Sequence, residues 1–249
     1  MIISTMDRIK IFSKSQFSLL WWSGTISSFG DWATLFGSVA LASYLGTEAG
    51  NSELTAIVPL IARIVPALLS SFAGLIADRY DKKIIMIFCD VTRMIFVMFL
   101  FFADNLYSIF LINFLSEIFS LIRQPSREAV VPEIVNKENL VKANSLFAIG
   151  TYATLPIASL ALGVVSDWNS LELTNETGNG WSGSIIFLFD TFTFMASEIL
   201  LSFIKNQNIN TLNKKPDVSF KNFKDGLDYF FKTKDIRNIS FSISFCLIG

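Results

Sequence analysis

The chain has 249 residues, of which 52% are hydrophobic and 16% charged, with a mean hydropathy of +0.51. That is too apolar for an ordinary soluble domain. A net charge of −1, no histidine and only two cysteines exclude a polybasic nucleic-acid binder and a zinc site. Six apolar runs of spanning length follow in chain order, at about 17–45, 54–77, 84–103, 106–123, 141–165 and 184–204. A seventh begins near Ile236. A hydrocarbon layer of about 30 Å takes about 20 helical residues to cross. The runs show no strand alternation, so they predict an all-α membrane bundle and not a barrel.

The connecting segments alternate in charge. Arg8, Lys10 and Lys14 precede the first run, and Arg79, Lys82 and Lys83 lie between the second and third. Arg123, Arg127, Lys137 and Lys142 lie between the fourth and fifth. Lys205, Lys214, Lys215, Lys221, Lys224, Lys232, Lys234 and Arg237 follow the sixth. These are 18 of the 20 basic residues; Arg63 and Arg93 sit inside runs. The opposite loops hold acids only, among them Glu48, Glu53, Asp104, Asp167, Glu172 and Glu176. Cytoplasmic loops retain Lys and Arg, which predicts a multi-pass protein of the cell (inner) membrane with its N-terminus in the cytoplasm.

This reading divides the chain into a six-helix bundle over 1–204, a cytoplasmic linker over 205–235 and the start of a seventh span over 236–249. In the linker, Phe220, Phe223, Leu227 and Phe230 recur at helical spacing between charged residues, which predicts an amphipathic helix. The seventh run is too short to cross, so the chain is expected to be the N-terminal part of one nearly twice as long. Cys89 and Cys246 both lie in apolar runs and read as packing residues.

Ionisable side chains inside spans are costly and therefore candidates for function. Asp31 and Arg63 fall at similar heights in spans one and two, so they could pair. Asp31 reads equally as a coupling or substrate-facing acid and as part of a structural ion pair. Asp90 and Arg93 are three residues apart on span three and predict a structural pair. Glu117, Asp190 and Glu198 are further candidates for coupling or for the substrate cavity. Asp81 is placed to N-cap span three. Gly74, four residues after Ser70, makes a small-residue face for close helix approach.

The segment GLIADRYDKKIIM, Gly74 to Met86, resembles the signature loop of the major facilitator superfamily. It matches at Gly74, Asp78, Arg79, Lys82 and Lys83, and departs where Asp81 replaces a glycine. Three further segments are similar to the branch of macrolide-efflux and enterobactin-exporter-like proteins. They are SSFGDWATLF in span one, RQPSREAVVPEIVNKENLVKANSLF from Arg123 to Phe147, and FKDGLDYFFKTKDIRNI from Phe223 to Ile239. The resemblance implies the N-terminal half of a transporter whose two six-helix halves rock about a midplane site, built from three-plus-three inverted repeats. The loop would be a conformational switch, with Asp78 meeting a partner in the missing C-terminal half.

The function implied is ion-gradient-driven efflux of a small amphipathic molecule, with a proton or another ion as partner and antiport as one mode. The glycine spacing of drug–proton antiporters is not met in span five, which has Gly150, Pro156 and Gly163. A symporter or lipid-handling carrier of the same fold, or a non-transporting sensor or assembly subunit, remain open readings. No nucleotide loop and no nucleophile–base pair occurs, so neither an enzyme nor a cofactor is expected.

Overall fold

The structure, a computed structural model, describes residues 15–48, 55–67, 73–74, 80–166, 184–204 and 232. The chain divides into two compact units, Met1–Ile209 and Asn210–Gly249. The described part of the first is helical throughout. It contains α1 (Ser15–Glu48), α2 (Ile57–Ala67), α3 (Lys82–Leu100), α4 (Leu106–Ile134), α5 (Leu140–Ser166) and α6 (Ile185–Ser202). The linker helix falls outside the described residues, as do the seventh run, Cys246, Asp78 and Arg79.

Local sequence sets the helix ends. The Asp81 carboxylate accepts from the backbone N–H groups of Lys83 and Ile84 at 2.9 and 3.1 Å, capping α3 as expected. Asn105 caps α4 by accepting from Ser108 N–H at 2.8 Å. That helix passes through Pro125 and Pro132 and stops only where Val135 turns extended. A 3₁₀ turn, Lys137–Asn139, leads into α5. Span four is therefore longer than its apolar run. Arg123 and Arg127 lie on the helix, not in a loop, and Arg123 is buried. Its assignment to a connecting loop is corrected on this ground.

Three helices are long and apolar enough to cross a membrane by length and composition: Leu106–Ile134, Lys137–Val165 and Ile185–Ser202. The outer surface is greasy. Phe88, Phe99, Leu160, Val164 and Phe192 are all exposed, as a hydrocarbon solvent demands.

The helix contacts follow a pattern that no residue repeat announced. α1 packs on α6 and α5; α4 packs on α3 and α2; α3 packs on α6. Exchanging α1 with α4, α2 with α5 and α3 with α6 maps these pairings onto themselves. Such exchange is the mark of a three-plus-three repeat.

α1 is held closely on both sides. A Cβ at Gly30 would collide with Asp190 and Thr193 of α6. A Cβ at Gly150 of α5 would collide with Thr25 and crowd Trp21. Small residues let helix backbones approach and bring polar groups into register. Trp21 and Trp32 of α1 donate their indole N–H groups to the Leu146 and Thr151 carbonyls of α5 at 2.8 and 2.9 Å.

Two apolar clusters result. One joins Phe17, Leu20, Met86, Val130, Phe147 and Leu201; the other joins Ala33, Leu41, Val97, Ile109, Ile186 and Phe187. Along α1, α3 and α6 the first cluster lies at one end and the second toward the other. Asp31, Asp90, Arg93 and Asp190 come between them.

Candidate functional site

The belt between the clusters is a connected network. Arg93 on α3 pairs with Asp31 on α1 and lies 3.5 Å from Asp90 on its own helix. Its guanidinium also sits over the Phe194 ring of α6, 4.7 Å from the centroid. Arg123 on α4 brings its Nε within 2.6 Å of the same Asp90 oxygen. The geometry there is that of an ion pair, since the N–H makes no aligned hydrogen bond. Asp90 is fully buried, Arg93 and Arg123 nearly so, while Asp31 keeps 29% of its side-chain surface. Buried charge is tolerable only when paired, and here two carboxylates balance two guanidiniums.

Asp190 on α6 belongs to a separate group. It is fully buried and accepts from the Thr34 hydroxyl at 2.5 Å and the Thr193 hydroxyl at 2.7 Å. Beside it, Asn113 on α4 donates to Ser38 at 3.1 Å.

The structure rearranges the partnerships expected from sequence. Arg63 does not pair with the Asp31 carboxylate; its guanidinium donates to the Asp31 backbone carbonyl at 3.4 Å. Similar height was inferred correctly, but height along a helix does not fix rotation about it, and Arg93 takes the carboxylate. The closest cation to Asp90 is Arg123, a residue that sequence reading left outside the membrane. Glu117 is half-buried, with Arg63, Arg93 and Asp31 as its charged neighbours. Glu198 is half-buried beside Asp90.

The signature-loop lysines are held within this bundle. Lys82 pairs with Glu133 of α4 at 2.8 Å. Lys83 donates to the Ser202 and Ile204 carbonyls at 3.0 and 2.6 Å, capping the C-terminus of α6. At Gly74, an added Cβ would meet nothing within 4 Å among the described residues. The close helix approach expected there is not made within them.

From the charged belt a cavity of about 480 Å³ extends toward the end of the bundle where α4 stops and α5 begins. Its polar wall includes Asp31, Arg93, Arg123, Arg127 and Glu128; Val131, Leu140 and Phe147 supply apolar surface. Arg127 lies over the Phe147 ring at 5.2 Å, and among the described residues it forms no ion pair. The cavity thus presents an uncommitted cation beside a partly solvated acid. Sequence reading missed Arg127; its spacing of four residues from Arg123 was the available signal. The described residues contain no cluster of three metal-ligating side chains.

Comparison with known proteins was decisive at the level of family. The profile of the Major Facilitator Superfamily matches residues 20–249. The chain belongs to that superfamily. Among curated proteins, it is similar to the lysophospholipid transporter LplT of Pectobacterium carotovorum subsp. carotovorum, 30% identical over 143 residues. That match covers 57% of this chain and 34% of the relative. It is also similar to LplT of Escherichia coli strain SE11, 27% identical over 161 residues, covering 65% of this chain and 39% of the relative. The matched region thus spans under two fifths of the length of these relatives. The relatives bear out the superfamily read from the signature loop; they are lysophospholipid transporters, not members of the macrolide-efflux and enterobactin-exporter-like branch.

Proposed function

We propose that this chain supplies six helices of a secondary membrane carrier for a lysophospholipid-like amphiphile, acting by alternating access in a bacterial inner membrane. Of the readings that the sequence leaves open, the lipid-handling carrier has better support than efflux of a small drug-like amphiphile. The relatives named LplT favour it. The observation that carries it is the cavity. Its volume falls within the roughly 300–1,000 Å³ usual for ligand pockets. Arg127, free of ion pairs among the described residues, suits a phosphodiester, and Asp31 and Glu128 on the same wall suit an ammonium headgroup. Phe147, Val131 and Leu140 offer apolar surface to the first part of an acyl chain. A second six-helix half would complete the opposing wall, and cytoplasmic placement of the Lys82–Lys83 turn fits the charge asymmetry of the loops.

The test is transport by the full gene product in proteoliposomes. A lysophospholipid should move faster than a monoacylglycerol of the same chain length, which lacks the phosphate. Arg127→Ala should cut that preference by about tenfold or more, the value of one charge-assisted contact. Equal rates for the two amphiphiles, or an unchanged preference in Arg127→Ala, would refute the assignment.

A further inference from the structure

Glu198 takes no part in the ion pairs of the belt. Its Oε1 is buried without a hydrogen-bond partner, and so is Oδ2 of the fully buried Asp90. The two carboxyls stand within hydrogen-bonding reach of each other. Two ionised carboxylates cannot bond, because each only accepts. A single proton turns the repulsion into a short O–H···O⁻ bond and satisfies both orphan oxygens.

The geometry points to Asp90 and Glu198 as a proton-binding site that joins α3 to α6, one carboxyl donating to the other. The surrounding charges agree. Facing the pair are Arg93 and the Cys89 thiol from α3 and Arg123 from α4. Farther along the belt are Asp31 of α1, Arg63 of α2, Glu117 of α4 and Asp190 of α6. With Arg127, the belt and cavity hold four guanidiniums against the five carboxyls of Asp31, Asp90, Glu117, Asp190 and Glu198. One proton brings that set to neutrality. A metal cation fits poorly: Arg93 and Arg123 both lie against Asp90, and hard cations need six or more oxygens. Loss of the proton would set two negative charges against each other across the α3–α6 contact. The inference does not depend on which cargo the protein carries.

Infrared difference spectra of the full gene product in nanodiscs, recorded across a pH series, test it. A protonated-carboxyl C=O signal should be present at neutral pH and disappear as one proton is lost on alkalisation. Glu198→Gln should remove that signal. Thermal stability should fall as pH rises in the unaltered protein, because its folded state holds a proton that the unfolded chain releases. Glu198→Gln, which mimics the protonated side chain, should flatten that profile. The proposal is overturned if the signal survives Glu198→Gln, if it vanishes instead in Asp190→Asn, or if the stability profile is the same in Glu198→Gln. It is likewise overturned if sodium, but not choline, stabilises the protein at fixed pH through Glu198. The spectra of the unaltered protein alone decide against it, should either variant fail to fold, if no carboxyl titrates.

Discussion

Replacing Arg93 by Gln tests whether the belt acts as a unit. Removing one partner of a buried ion pair costs about 3–5 kcal/mol, because the other charge is stranded. Two features of this site place the cost near the lower bound. Asp90 retains Arg123 at 2.6 Å, and Asp31 keeps 29% of its side-chain surface, so water in the cavity can solvate it. The expected loss is therefore about 3 kcal/mol. Adding Asp31→Asn removes the stranded charge and should restore about 1–2 kcal/mol, a coupling typical of residues in contact. The measurement is a double-mutant cycle by denaturant titration in mixed micelles, followed by helical circular dichroism. If the two substitutions add to within about 0.5 kcal/mol, Arg93 and Asp31 are not coupled and the network reasoning fails.

Gly30→Ala should cost about 1–3 kcal/mol by overpacking against Asp190 and Thr193, whereas Gly24→Ala, whose Cβ would meet Phe147 at 3.6 Å, should be nearly neutral; thermal midpoints of the two variants compare them directly. Lys83→Met leaves the Ser202 and Ile204 carbonyls uncapped and should lose about 1–2 kcal/mol, against less than about 1 kcal/mol for Lys82→Met, whose Glu133 pair is partly exposed; matched unfolding curves would show the order reversed if the cap were unimportant. Single cysteines at Lys82 and at Glu172 should react with impermeant reagents from opposite sides of the membrane; labelling from one side only would overturn the orientation read from the charged loops.

Much of the fold could be read before the structure. Apolar length set six helices, and the Asp81 cap was visible because Asp before an apolar run has one obvious use. The extent of α4 was not legible. Its last two turns carry Pro125, Arg127, Glu128 and Pro132, a composition that reads as a loop. Only packing of Val130 and Val131 into the first apolar cluster shows why the helix persists. That misreading removed Arg123 and Arg127 from the candidate site. The acids were found because any charge in a greasy run stands out. Their partners were not, because partnership depends on helix rotation and on which helices touch. Asp190 illustrates the limit. It has no cation on its own helix, and its actual partner, Thr34, lies 156 residues away on α1, brought near by the close approach at Gly30.

The seating of α1 has a mechanical consequence. On one flank it is fastened to α5 through two indoles, on another to α6 through Thr34, and at its middle to α3 through Asp31. It is the axle of the assembly, and the acid on the cavity wall is mounted on it. Any load that a cargo places on Asp31 is felt at once by three neighbours, so an occupied and an empty cavity differ by a shift of the whole wheel and not of a single spoke.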